Sequence, residues 1–266
     1  MIKRLYFKNK HLRPFNIAFT TIYIILLLIC IKYFVHGYKL EFLEVNTLVG
    51  SAIAGGTFIC SFLLSGLIAD YKEAEKVPTE IRSSLENIWS ETLLLKNDNS
   101  KFHIDDTRNN LMQIVKSFFK GISHENNHVN LEPCISAIDD LSNNFKQMLK
   151  AGLLPNYVVR LKTEQGNLRK TILRVQHIQK TQFLPSAYIL AESIVALVIF
   201  LLLFVKTEGS PESMIVFGLI SYMFIYIIRL IREIEQPFQE GVSTLDDVSL
   251  FLLHDFEQKI STSKSK

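Results

Sequence analysis

Four stretches of this chain are long and apolar enough to cross a bilayer, at about Phe15–Val35, Thr47–Ala69, Pro185–Val205 and Met214–Ile231. A spanning helix needs ~20 mainly apolar residues, because hydrocarbon offers no partner to a bare backbone N–H or C=O. The first stretch is almost unbroken from Ile22 to Ile31. The second carries no charge, the third holds a single acid, Glu192, and the fourth is free of charge until Arg229. A buried helix of a soluble protein accounts for one such run. Four of them in 266 residues, 48% of them hydrophobic, predict an all-α polytopic membrane protein with four transmembrane helices and a helical cytoplasmic layer.

Charge placement predicts the orientation. Lys3, Arg4, Lys8, Lys10 and Arg13 precede the first span with no acid among them. The connection between spans one and two sets Lys39 against Glu41 and Glu44, and that between spans three and four sets Lys206 against Glu208 and Glu212. The long middle segment carries Lys72, Lys76, Arg169, Lys170, Arg174 and Lys180 near its two membrane ends. Lys and Arg stay on the cytoplasmic side, which places both termini and the middle segment there, in a plasma or bacterial inner membrane. The first run is too long for a signal peptide, and no small-residue cleavage pattern follows Val35. The expected layout is a tail and two spans in 1–70, a cytoplasmic helical region in 71–184, two spans in 185–231, and a cytoplasmic tail in 232–266.

A net charge of +3 from 29 basic and 26 acidic residues gives no broad basic face, so nucleic acid is not expected as a partner. Three cysteines, two in spans (Cys30, Cys60) and one in the middle segment (Cys134), make no disulfide framework.

The middle segment has helical periodicity throughout and no strand signal. Span two reads on through Ala74, Val77, Ile81, Leu85 and Ile88, with a kink expected at Pro78. One helix is expected from Asp105 to Gly121, and another carries Leu131 to Met148 and ends at Gly152. A third has Val158, Leu161, Gln165, Leu168, Ile172 and Val175. That spacing is a heptad seam, suited to holding subunits together. After the last span, Leu245, Val248, Leu252 and Phe256 predict an amphipathic helix capped by Ser243 or Thr244, with Asp246 and Asp247 as first-turn acids.

Three features bear on chemistry. His124-Glu125-Asn126-Asn127-His128 matches the zinc-protease pattern, two imidazoles one helical turn apart with a Glu beside the first. That chemistry needs a helix, and this stretch lies between Gly121 and Pro133 with Asn-Asn inside it, which favours a solvated loop and no metal. Glu192 is an intramembrane acid, and either serves function or hydrogen-bonds a neighbouring helix. Lys32 and Arg229 lie near span ends, where long basic side chains snorkel to the headgroups. Span two differs from the others. Its first half is Gly50, Ser51, Ala52, Ala54, Gly55 and Gly56, and its second sets Phe58 and Phe62 one turn apart beside Ser61 and Ser65. That pattern suits packing, or the lining of a pore.

The run Phe58-Ile59-Cys60-Ser61-Phe62 through Asp70-Tyr71 to Val77-Pro78 resembles the second membrane helix of bestrophins, in which aromatics four apart line a neck. Ile234-Glu235-Gln236-Pro237-Phe238-Gln239-Glu240-Gly241 is similar to the Ile-x-x-Pro-Phe-Gly segment after their last span. The bestrophin-like bacterial membrane proteins without assigned function are an equally close comparison. The resemblance implies a homopentameric ion channel rather than an enzyme, selective for anions such as chloride and embedded in lipid, with Ala54, Phe58, Ser61 and Phe62 at its neck. It also makes Pro237, Phe238, Glu240, Asp246 and Asp247 a regulatory segment. No unbroken acidic run follows Phe238, so calcium control is not expected, nor any other cofactor. The neck proline of the animal proteins is also missing. A membrane-anchored helical interaction or signalling module, and a membrane metalloprotease built on His124–His128, are the other readings open at this point.

Overall fold

The computed structural model describes residues 16–94, 103–123, 130–180, 185–207, 209–235, 237–238 and 247–262. Among them the chain forms α1 (Asn16–Gly37), α2 (Thr47–Ala74), α3 (Val77–Leu94), α4 (Ile104–Ile122), α5 (Glu132–Lys150), α6 (Pro155–Lys180), α7 (Pro185–Phe204), α8 (Pro211–Ile234) and α9 (Phe251–Thr262). The described residues hold no strand beyond one isolated bridge, Leu43 to Val205. They divide into two compact units, 16–71 with 185–207 and 209–235, and 72–94, 103–123, 130–180, 237–238 with 247–262.

The first unit contains α1, α2 to Tyr71, α7 and α8, the helices long and apolar enough to cross a membrane. Local chemistry starts them. Asn46 accepts the Val49 N–H at 3.0 Å ahead of α2. Ser210 accepts the Ser213 N–H ahead of α8, and Pro211 follows at a position whose N–H has no helical partner to lose. The core joins one face of three helices: Cys60, Leu63 and Leu67 of α2, Ala191, Val195, Val198 and Leu202 of α7, and Phe217, Phe224 and Ile231 of α8. Spacings of three and four place each set on one stripe. α1 comes close to α8 at Gly218, where a Cβ would lie 3.1 Å from Ile29.

The second unit is a helical bundle. α4 pairs with α5, α6 lies against α3 and α5, and α9 lies against α3 and α4. The turn at Glu75–Lys76 separates α2 from α3, and Pro78 sits in the first turn of α3, so the expected interruption is present. The α6 stripe Leu161, Gln165, Leu168, Ile172 and Val175 is buried. This corrects the expectation that the seam joins subunits, because α3 and α5 already cover it within one chain. Polar bonds fix the register. Glu164 accepts from Ser84 at 2.8 Å and from Asn87 at 3.0 Å, and Gln165 donates to the Ile138 carbonyl.

α9 begins at Phe251, which corrects the expected start near Thr244. Asp247 lies outside the helix, so it is not a first-turn acid. The Val248 N–H is bonded to the Pro237 carbonyl at 2.8 Å, which holds this stretch extended past the buried Phe238. Leu253, Phe256 and Ile260 then form the buried stripe. Glu86 receives Lys259 of α9 at 3.0 Å, and that bond holds its carboxyl below the usual range. Glu240 and Asp246 lie outside the described residues, as does the segment His124–His128, which falls between the end of α4 and the start of α5.

Candidate pore-lining face and polar span ends

α2 has two faces of opposite character. Gly56, Cys60, Leu63 and Leu67 turn inward against α7 and α8. Gly56 is the point of closest approach, since a Cβ there would lie 3.2 Å from Ile194 and 3.3 Å from the Phe224 ring. On the opposite face Ser51, Ala54, Gly55, Phe58, Ser61, Phe62 and Ser65 are all exposed. The structure therefore brings the four expected neck residues onto one uncovered stripe. Phe58 and Phe62 are 72% and 73% exposed. A Cβ on Gly55 would meet nothing within 4 Å.

The hydroxyls on this stripe are unusual for membrane helices. Thr21, Thr57 and Ser193 each return a hydrogen bond to the carbonyl four residues back, at 2.6–2.9 Å. Ser51 does the same. Ser61 and Ser65 have no such partner among the described residues. Two free hydroxyls flank the phenyl groups.

Solved structures share this architecture. A bacterial bestrophin homologue from Klebsiella pneumoniae, in a point-mutant form, matches at 14% identity and TM-score 0.76, over 91% of this chain and 99% of its own. A second mutant of it matches at 16% and 0.74, over 92% and 99%. A crystal structure titled only as a membrane protein matches at 15% and 0.76, over 93% and 99%. This chain has the bestrophin fold. No protein-family profile matches the sequence, and no curated protein does. With four apolar helices in that fold, the chain is an integral membrane protein.

Within the bestrophin fold the polar groups at the span ends are arranged differently from their expected roles. Lys32 does not snorkel. It is 0% exposed, and its Nζ donates to the Leu203 and Val205 carbonyls at 2.9 and 2.5 Å and pairs with Glu41 Oε1 at 2.7 Å. The last carbonyls of α7 have no helical partner, and a cation is well placed on them. Glu41 also accepts the Thr207 N–H at 2.9 Å, the Thr207 hydroxyl at 2.7 Å and His36 Nδ1 at 3.0 Å. Burial alone pushes the Glu41 carboxyl up, but Lys32, Thr207 and His36 outweigh it and hold it down at about 2. Nearby, the Phe42 and Leu43 N–H groups share the Phe204 carbonyl. This cluster ties the α1–α2 connection to the α7–α8 connection.

Arg229 is likewise half-buried, with its guanidinium 3.4 Å from the Thr21 hydroxyl. Glu192 pairs with Arg232 of α8, with Nε at 2.9 Å. The acid of span three thus has a charged partner on the adjacent helix rather than a Ser or Tyr. Pro237 and Phe238 are buried, and the Phe238 carbonyl accepts from Gln179 at 3.0 Å, so that part of the expected regulatory segment packs as core. Among the described residues no three His, Cys, Asp or Glu side chains gather as a metal site.

The Lys32–Glu41–His36–Thr207 cluster was not legible beforehand. A single Lys near the end of an apolar run carries no sign of whether its tip turns outward or inward, and its carbonyl partners lie about 170 residues away.

Proposed function

We propose that this chain is one subunit of a bestrophin-type ion channel, selective for anions such as chloride, with copies assembled so that α2 lines the pore. The observation that carries this reading is the uncovered α2 stripe. Phenyl groups at Phe58 and Phe62 alternate there with the free hydroxyls of Ser61 and Ser65. Rings of phenyl groups form a constriction that gates by dewetting. Their edges carry the positive part of the ring quadrupole and favour a passing anion. Serine hydroxyls replace part of its lost hydration. Ala54 and Gly55 leave space at the outer part of the stripe. The resemblance makes the ring a pentamer of identical chains. No metal or cofactor enters this reading.

The orientation proposed with it has both termini and the second unit in the cytoplasm, from the Lys and Arg bias of the flanking segments. Cysteines placed singly at Gly37 and Ser210 then label from outside with an impermeant reagent, and one at Asn126 does not.

The function is tested with purified protein in planar bilayers under a chloride gradient. Wild type gives an anion-selective reversal potential. Phe58→Ala and Phe62→Ala widen the constriction, so conductance rises and discrimination among anions falls. Well-folded wild type without current, together with silent Phe variants, leaves the membrane-anchored module as the function.

A further inference from the structure

The polar cluster at the α1–α2 and α7–α8 connections contains an imidazole that pore lining does not use. His36 Nδ1 lies 3.0 Å from Glu41 Oε2, on a carboxylate that Lys32 and Thr207 already hold from its other side. The charges of Lys32 and Glu41 balance when His36 is neutral. Protonation turns the His36–Glu41 contact into a charge-assisted hydrogen bond. The ring also has little room to swing away. Gly209, at φ +68°, lies so close that a Cβ on it would stand 2.7 Å from His36 Nε2.

Among the described residues, the groups facing His36 are Glu41 from the first connection, Lys32 acting through Glu41 from α1, and the Thr207 hydroxyl at 3.5 Å and Gly209 from the second. Lys206 and Glu44, on the same two connections, pair with each other at 2.9 Å. The first connection leads directly into α2, the second into α8. Imidazoles change charge between pH 5 and 8.

We propose that His36, Glu41 and Lys32 form an acid-strengthened latch that fixes the start of α2 to the end of α7. The stabilisation is full below about pH 6.5, where a free imidazole is charged, and fades as the pH rises. Where the chain conducts, a tightened latch restrains α2. Acid on the side of the two connections then lowers the current, while acid on the opposite side leaves it unchanged. That last consequence rests on the channel reading, whereas the latch itself does not.

Two measurements on the full chain test it. Thermal unfolding is followed at pH 7.5 and 5.5 for wild type and for His36→Gln, with His36→Asn as a second neutral variant. The margin of wild type over the variants widens on acidification by about 3 °C. An equal margin at both pH values overturns the latch. In bilayers, acidifying the bath on the connection side lowers wild-type current about fivefold and leaves His36→Gln flat. The same response in both proteins also overturns it. If wild type carries no current while the thermal margin still widens, the latch stands and the channel reading falls.

Discussion

Both the outward side of α1 and the uncovered stripe of α2 lie open in the single chain, yet they are built for different surroundings. On α1 the open positions are Phe19, Ile22, Tyr23, Ile24, Leu26, Leu27, Ile31, Tyr33 and Phe34, with aromatic groups toward the ends and aliphatic ones in the middle. That is a surface for hydrocarbon, with amphipathic rings at the headgroup levels. On α2 the open positions are Ser51, Ala54, Gly55, Phe58, Ser61, Phe62 and Ser65. Free hydroxyls gain nothing from lipid tails. Exposure alone therefore does not identify a lipid-facing surface, and the placement of polar atoms within it does.

The strongest way to break that contrast is a charge at mid-membrane depth. Leu27→Lys costs about 3 kcal/mol against hydrocarbon and abolishes a monodisperse, membrane-inserted product. Ser61→Lys at similar depth on α2 keeps the assembly and raises anion conductance. Size-exclusion profiles in detergent report both, and equal loss in the two variants removes the distinction between the faces.

A second test moves to the inward side of α1, where Lys32 meets Glu41. The Glu41 carboxyl is held at about 2, below its ordinary 4.5, so its contribution is present above about pH 4.5 and is lost as the pH falls toward 2. The loss amounts to roughly 3 kcal/mol by linkage. Melting temperature measured from pH 5 to 2.5 falls in wild type more steeply than in Glu41→Gln, which starts lower and stays flatter. Parallel curves show that the pairing adds no stability.

The third test sets two adjacent glycines against each other. Gly56→Val drives a side chain into Ile194 and Phe224 and destabilises the subunit by about 1–3 kcal/mol, measured by thermal unfolding. Gly55→Val meets nothing within its own chain, so it leaves the melting temperature of the subunit unchanged and narrows the conducting path instead. The smallest effect is expected at Glu192→Gln. This removes a solvent-accessible pair with Arg232, shifts stability by less than about 1 kcal/mol and leaves the reversal potential in place.

Much of this was legible before the structure. Continuous apolar runs leave a backbone no alternative to helix in lipid, so the four spans agree with α1, α2, α7 and α8 to within a few residues, except for the later end of α2 at Ala74 and the earlier start of α8 at Pro211. The Phe58 and Phe62 stripe followed from 3.6-residue periodicity. Which of the adjacent Gly55 and Gly56 meets α7 and α8 depends on the rotation of α2 about its axis, and small residues on both sides leave that open. The α6 seam shows the same limit. Period reveals that a face is buried, but not whether the covering helix belongs to the same chain. For α9, Leu245 and Val248 fit a helical period, but Val248 is bonded to Pro237, and that tertiary contact overrides the local pattern.

The open α2 stripe has a consequence for the birth of the complex. A newly inserted chain presents Ser61 and Ser65 to lipid tails without the internal bond that shields Thr57 or Ser193. Lateral encounter with further copies relieves that mismatch, so the lone subunit is the species that membrane quality control meets. Its lifetime is set by how quickly it finds companions. Scarce synthesis then depletes the finished complex more than in proportion, and truncating either hydroxyl to Ala lengthens the survival of the unassembled chain.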